Sequence, residues 1–87
     1  MPYIPVEEKM KYEPMLFRLR ALINEKTPKG DLTYLVYALG LGFFKGRESY
    51  TRISAAISCL QDAAEELRRR YLNPYEDERI KENGDVL

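Results

Sequence analysis

The clearest pattern of apolar and polar positions runs over residues 49–71. Ile53, Ala56, Ile57, Leu60, Ala64, Leu67 and Tyr71 recur there at steps of one, three and four, which places them on one stripe of an α-helix. No other segment is as long and as uninterrupted, so the rest of the chain reads as something that covers this stripe or extends from its end. Two shorter periodic segments come before it. In residues 15–26, Leu16, Leu19 and Ile23 share a face, Met15 and Leu22 lie beside it, and Arg18 and Arg20 point elsewhere. In residues 32–44, Leu32, Leu35, Val36, Leu39 and Phe43 form a stripe that Tyr34, Tyr37, Leu41 and Phe44 widen. A helix apolar on more than one face is expected to be buried on two sides, by the lead-in segment or by another subunit.

Local punctuation sets the expected ends. Residues 1–4 read as an extended lead-in, and Pro5 suits a first helical turn with Glu7 and Glu8 near the positive end of the dipole. Pro14 lacks the N–H and clashes with the preceding turn. It predicts a short helix ending near Tyr12 and a fresh one from Pro14, with Glu13 just outside it; one kinked helix over residues 6–26 is the alternative. Residues 27–30, Thr-Pro-Lys-Gly, are a turn by composition. Asp31 then reads as an N-cap, Gly46 as a C-terminal stop and Ser49 as the N-cap of the long helix, without a capping box because Arg52 stands three residues on. Asn73-Pro74 is expected to end that helix. A short last helix would open at Pro74, carry Glu76, Asp77 and Glu78 early and Lys81 late, and stop at Asn83-Gly84. The expectation is a single all-α domain over residues 1–87: a small helical bundle built on a helical hairpin, with short N-terminal and C-terminal helices.

Composition narrows the function classes. An 87-residue chain has room for one core and a thin margin of stability, which small helical chains often widen by associating. Fourteen basic and fourteen acidic residues cancel, which argues against general nucleic-acid binding. With one cysteine and no histidine, an internal disulfide, the usual structural zinc sites and histidine-based nucleophile systems are all out of reach. No apolar run approaches a membrane span, and the N-terminus lacks the apolar core of a signal peptide. The expected compartment is the cytoplasm, and no cofactor is expected.

Four features invite a chemical reading, each beside a plainer one. Gly40, Gly42, Lys45 and Gly46 in GLGFFKG suggest a phosphate cradle, but the spacing fits neither phosphate-binding fingerprint and no strand precedes it; a fraying helix end is the better reading. Arg68, Arg69 and Arg70 complement a helix C-terminus, or form an anion site with Tyr71 and Tyr75 as stacking partners. Asp62, Glu65 and Glu66 have the spacing of carboxylates that hold Mg²⁺ in all-helical nucleotide hydrolases, but no second helix carries a matching acidic face. Arg69 and Arg70 would pair with them instead. Ala55, Cys59 and Ala63, at steps of four, would let another helix approach closely, either the second helix of the same chain or one from another copy. Cys59 is then a small buried residue rather than a reactive thiol, and Tyr37 and Phe44 on the two-faced helix join the candidate interface.

GDLTY at residues 30–34, ELRRRY at 66–71 and above all NPYEDERIKENGDV at 73–86 resemble a family of small proteins of unknown function from tailed phages, prophages and bacterial genomes. The likeness runs from PYI near the start to the tail. It implies an accessory protein of phage type in a bacterial host and brings no activity with it. It also draws attention to the tail, where a solvated segment has no packing reason for its particular polar residues. Either the tail folds back to cap the helices, or Arg69, Arg70, Tyr75, Glu76, Asp77, Lys81 and Asn83 form a ligand surface. The leading expectation is a non-enzymatic, self-associating binding protein. The alternative is an oligomeric sponge for a small anionic, nucleotide-type signal, by analogy alone, and a Mg²⁺-dependent hydrolase is the remaining class.

Overall fold

A computed structural model describes residues 3–86. The expected lead-in is seen from Tyr3 onward; Met1, Pro2 and Leu87 lie outside the described residues. The described chain is all α-helical. Helix α1 spans Val6–Met10, α2 Glu13–Ala21, α3 Lys29–Phe44 and α4 Tyr50–Leu67; a π-helical turn at Arg68–Leu72 leads into α5, Asn73–Asn83.

Pro14 separates the first two helices as its chemistry requires. The chain turns at Lys11 and Tyr12, and Pro14 takes the second position of α2, where its missing N–H would be unbonded anyway. Glu13 is inside the helix, at its first position. Helix α2 stops at Ala21, short of the expected Lys26. The Leu22 and Ile23 N–H groups reach back only three residues, each at 3.1 Å. Asn24 then builds a turn of its own: the Lys26 N–H donates to Asn24 Oδ1 at 2.8 Å and the Asn24 N–H to Thr27 Oγ1 at 2.9 Å. Such short polar side chains offer the backbone an alternative to helix.

Helix α3 starts three residues before the expected Leu32, with Pro28 in extended geometry at its N-cap. Asp31 is therefore not the cap. It sits in the first turn, where its charge still favours the dipole. The far end is as expected. Gly46 adopts φ +87°, a left-handed conformation glycine takes at little cost, and Ser49 Oγ accepts from the Arg52 N–H at 3.1 Å.

The larger departure is at Pro74. The backbone remains helical through Leu67, Arg68, Leu72 and Asn73, so α4, the π turn and α5 form one rod. At 1.5 Å per residue it is about 50 Å long, matching the 51 Å longest dimension of the molecule. The Asn73 N–H bonds to the Arg68 carbonyl, five residues back. Widening the helix by one residue relieves the clash a proline ring makes with the carbonyl four residues earlier. The rod ends where the tail helix was expected to end, with Gly84 at φ +83°.

The closest packing between helices is in the α3–α4 hairpin. A Cβ on Gly40 would stand 3.4 Å from Leu60 Cδ1, so the two helices touch closely there. Arg52 Nη2 donates to the Phe43 carbonyl at 3.1 Å, with its guanidinium 4.9 Å from the Phe43 ring centroid, and Arg47 Nη2 donates to the Gly42 carbonyl at 3.2 Å. These two arginines satisfy carbonyls that the end of α3 leaves open. Ala56, at 5% exposure, is the one buried residue among those described. The stripe expected to be the core is therefore mostly open within one chain: Ile57 is 52% exposed, Leu67 63% and Tyr71 68%. The tail does not fold back over the helices, because α5 continues the rod.

The Ser49 cap starts the second arm of the hairpin. Ser49→Ala is expected to lower unfolding stability by about 1 kcal/mol, and Ser49→Asp to retain most of it, as read by urea denaturation followed by circular dichroism.

Candidate functional site

The densest cluster of polar contacts lies where the rod passes into its π turn. Glu66, half-buried, is its centre. Its Oε1 accepts from Arg70 Nε at 2.9 Å, from Arg69 Nη2 and from the Tyr3 hydroxyl. Arg69 Nη2 also donates to the Tyr3 hydroxyl at 3.2 Å, and the Arg70 guanidinium lies 5.1 Å from the Tyr3 ring centroid. Helical geometry explains the arginines, since residues three and four beyond Glu66 share its side of the helix. Tyr3 arrives from the other end of the sequence and pins the N-terminal segment to the end of α4. The hydrogen bond from Tyr3 is the main reason the Glu66 carboxyl is held below the usual carboxylate range, with Arg69 and Arg70 acting the same way. Glu66 and Tyr3 in turn hold Arg69 more firmly in its charged form.

This geometry separates the seven tail-centred ligand candidates. Arg69 and Arg70 serve Glu66 and Tyr3. Tyr75 lies under Arg79, whose guanidinium is 5.0 Å from its ring centroid. Lys81 is 3.9 Å from Glu78. Glu76 lies in the first turn of α5 and Asp77 follows it on the same exposed helix. Asn83 is the last residue of α5, about 20 Å along the rod from Arg69 at 1.5 Å per residue. A rod cannot bring its two ends together, so one chain does not form a single pocket from these seven residues. The ion pairing expected of the acidic group is present: Glu65 stands 3.6 Å from Arg68, and Glu66 holds Arg69 and Arg70. The glycine-rich stretch is the end of α3 and its stop, with the Gly46 N–H donating to Glu48 Oε1 at 2.7 Å. That bond holds the Glu48 carboxyl below its usual range.

The interface candidates are placed differently. Cys59 and Ala63 are exposed, Ala55 and Phe44 are half-buried, and Tyr37 is exposed. Cys59 is thus not packed against the second helix of its own chain; it is the neighbouring stripe, through Ala56 and Leu60, that meets α3. The open grooves are apolar. Tyr12, Met15, Leu16, Leu19 and Leu22 of the α2 region face Leu39 of α3 across a groove of about 420 Å³ with only Arg18 charged at its edge. A second groove runs along the rod between Ala64, Leu67, Tyr71, Leu72 and Tyr75, with Arg68 as its one charged lining residue. Among the described residues no helix is long and apolar enough to cross a membrane.

Tyr3 carries no local signal of its role, because the contact spans almost the whole chain. The openness of the rod was equally hidden, since a stripe at helical spacing looks the same whether its cover comes from the same chain or from another.

The model of a domain of unknown function, DUF6899, matches residues 1–86, so the chain belongs to that family. No curated protein and no solved structure matches it.

A carboxyl whose folded-state pKa is depressed adds stability while it is ionised in both states and loses that contribution as the pH falls through the folded value. The unfolded reference for Glu66 lies near 4.5. The melting-temperature gap between the natural protein and Glu66→Gln is therefore expected to be full near pH 7 and to narrow as the pH drops below about 4.5. A gap that stays constant down to pH 3 would remove the ionised Glu66 from any role in stability.

Proposed function

We propose that this member of the DUF6899 family is a non-enzymatic interaction protein that works as a homo-oligomer. The observation that carries this reading is its surface. The chain exposes 8106 Å², whereas a compact monomer of 10.2 kDa exposes about 5,300 Å². Its radius of gyration is 16.6 Å, against about 12 Å for a compact domain of this length. The excess, about 2,800 Å² per chain or about 5,600 Å² for a pair, is at the upper end of what obligate pairs bury in total. It is also apolar in part: Leu32, Leu39, Leu67 and Tyr71 all stand more than half exposed in the single chain.

The polar chemistry supports a binding role rather than catalysis. The carboxylates at the end of α4 are taken up in ion pairs with Arg68, Arg69 and Arg70, and the grooves are lined by leucine, methionine and tyrosine. The resemblance in the tail, from Asn73 to Val86, supports a phage or prophage setting.

Light scattering at micromolar concentration is expected to give a mass that is a whole multiple of 10.2 kDa, with a melting temperature that rises with protein concentration. A monodisperse monomer whose melting temperature is independent of concentration would end this reading.

A further inference from the structure

The stripe on the rod has a finer order than amphipathicity alone requires. Ile53, Ile57, Leu60, Ala64, Leu67 and Tyr71 alternate strictly by four and three, which is the spacing of a coiled-coil seam. Helix α3 covers one end of it, where Leu60 meets Gly40. Beyond that contact the seam is open, at Ile57 on its outer edge and at Leu67 and Tyr71 toward the π turn. The π turn prolongs it. Continuing the spacing without a break would bring Pro74 onto the seam; the extra residue in the widened turn brings Tyr75 there instead. Tyr75 accordingly lines the same groove as Ala64, Leu67 and Tyr71.

We infer that this seam is occupied by the same seam of a second copy running antiparallel, with the two-fold axis level with Asp62. The inference rests on the homo-oligomer reading and specifies its interface. Three observations select this occupant. The surface excess of each chain is of the order that an obligate pair hides. An antiparallel pairing about this axis sets Ile53 against Tyr71 of the partner, Ile57 against Leu67 of the partner, and Leu60 against Ala64 of the partner. A small side chain thus receives the leucine nearest the axis, and the Ile57–Leu67 layer joins two side chains that are open in the single chain. Of the flanking positions, Ser54, Ala56, Gln61 and Ala63 are small or uncharged, with Ala56 already buried against α3, and only Arg68 and Arg70 carry charge, so the backbones can come close around the axis. Charge then decides direction. A parallel pair would crowd both copies of Arg68, Arg69 and Arg70 at one end, whereas the antiparallel pair lays each triplet beside the uncharged Ser54–Ala56 region of the other chain.

The test uses the full chain with its one cysteine removed by Cys59→Ser. In that background Ile57→Cys and Leu67→Cys are made separately, then refolded together and apart under mild oxidation. The mixture is expected to yield a covalent dimer joining one chain of each kind, and each variant alone to remain uncrosslinked. In the antiparallel pair, like positions lie about 15 Å apart along the axis, well beyond the roughly 7 Å limit between the Cα atoms of a disulfide. Self-crosslinking of each variant alone would mean a parallel seam and would overturn the inference. An uncrosslinked mixture whose mass by light scattering equals that of the natural oligomer would place the interface elsewhere, leaving the homo-oligomer reading intact. A natural protein that is monomeric would overturn both.

Discussion

Leu60 against Gly40 is the contact on which the tertiary structure depends. The absent side chain at Gly40 lets the leucine seat at the α3 backbone, and Ala56, one turn earlier, is drawn into the only buried position among the described residues. Arg52, a further turn back, reaches the Phe43 carbonyl and ring, so apolar contact and helix capping are concentrated within three turns of α4. The loop makes this arrangement possible. Gly46 ends α3 in a left-handed turn and Ser49 starts α4 at once, which leaves the two helices no room to do other than fold back on each other. Outside this region the single chain has few means of holding itself. Helix α2 and Tyr12 before it face the hairpin across a groove at Leu39, and Tyr3 reaches the end of α4 through polar contacts at its surface. Exposed ion pairs of that kind contribute little each. The single chain thus keeps most of its apolar faces open and its polar contacts exposed.

The helices that were legible in the sequence are those whose ends have a single chemical cause. Pro14, Gly46, Ser49 and Gly84 each act on their own backbone, and each does what its chemistry predicts. The ends that were misjudged are places where two local signals compete. Asp31 is a good cap, but Pro28 in extended geometry opens the helix first, and the lysine and glycine after it accept helical geometry. Asn24 outcompetes the apolar periodicity of α2 through its own side-chain turn. Pro74 disfavours helix at the residue before it without forbidding it, and a one-residue widening absorbs the conflict.

The reading of function divided along a different line. Ion pairing at the end of α4 followed from spacing within one helix and was visible in advance. The tail candidates depended on a return of the chain that a straight rod does not make, and Tyr3 reaches Glu66 across a separation in sequence that leaves no periodic trace. The stripe of residues 53–71 was recognised for its spacing but assigned to the wrong depth. Periodicity reports that a face wants cover; it contains no term for which chain supplies it.

The π turn ties these threads together. Without it, a proline at position 74 would bend or end the rod, and the apolar seam would stop at Tyr71. With it, the helix continues and Tyr75 stays in line with Leu67 and Tyr71. The cluster beside the turn is built from the preceding turns of the same helix, where Glu66 gathers Arg69, Arg70 and Tyr3. Tyr3 lies next to Ala63, Leu67 and Tyr71 as well as to Glu66, so the N-terminal segment is fastened at the margin of the open seam rather than across it. An anchor placed there adds an aromatic ring to the rim while leaving the seam free. The polar residues at the end of α4 therefore border the apolar surface beside them and hold Tyr3 at its margin.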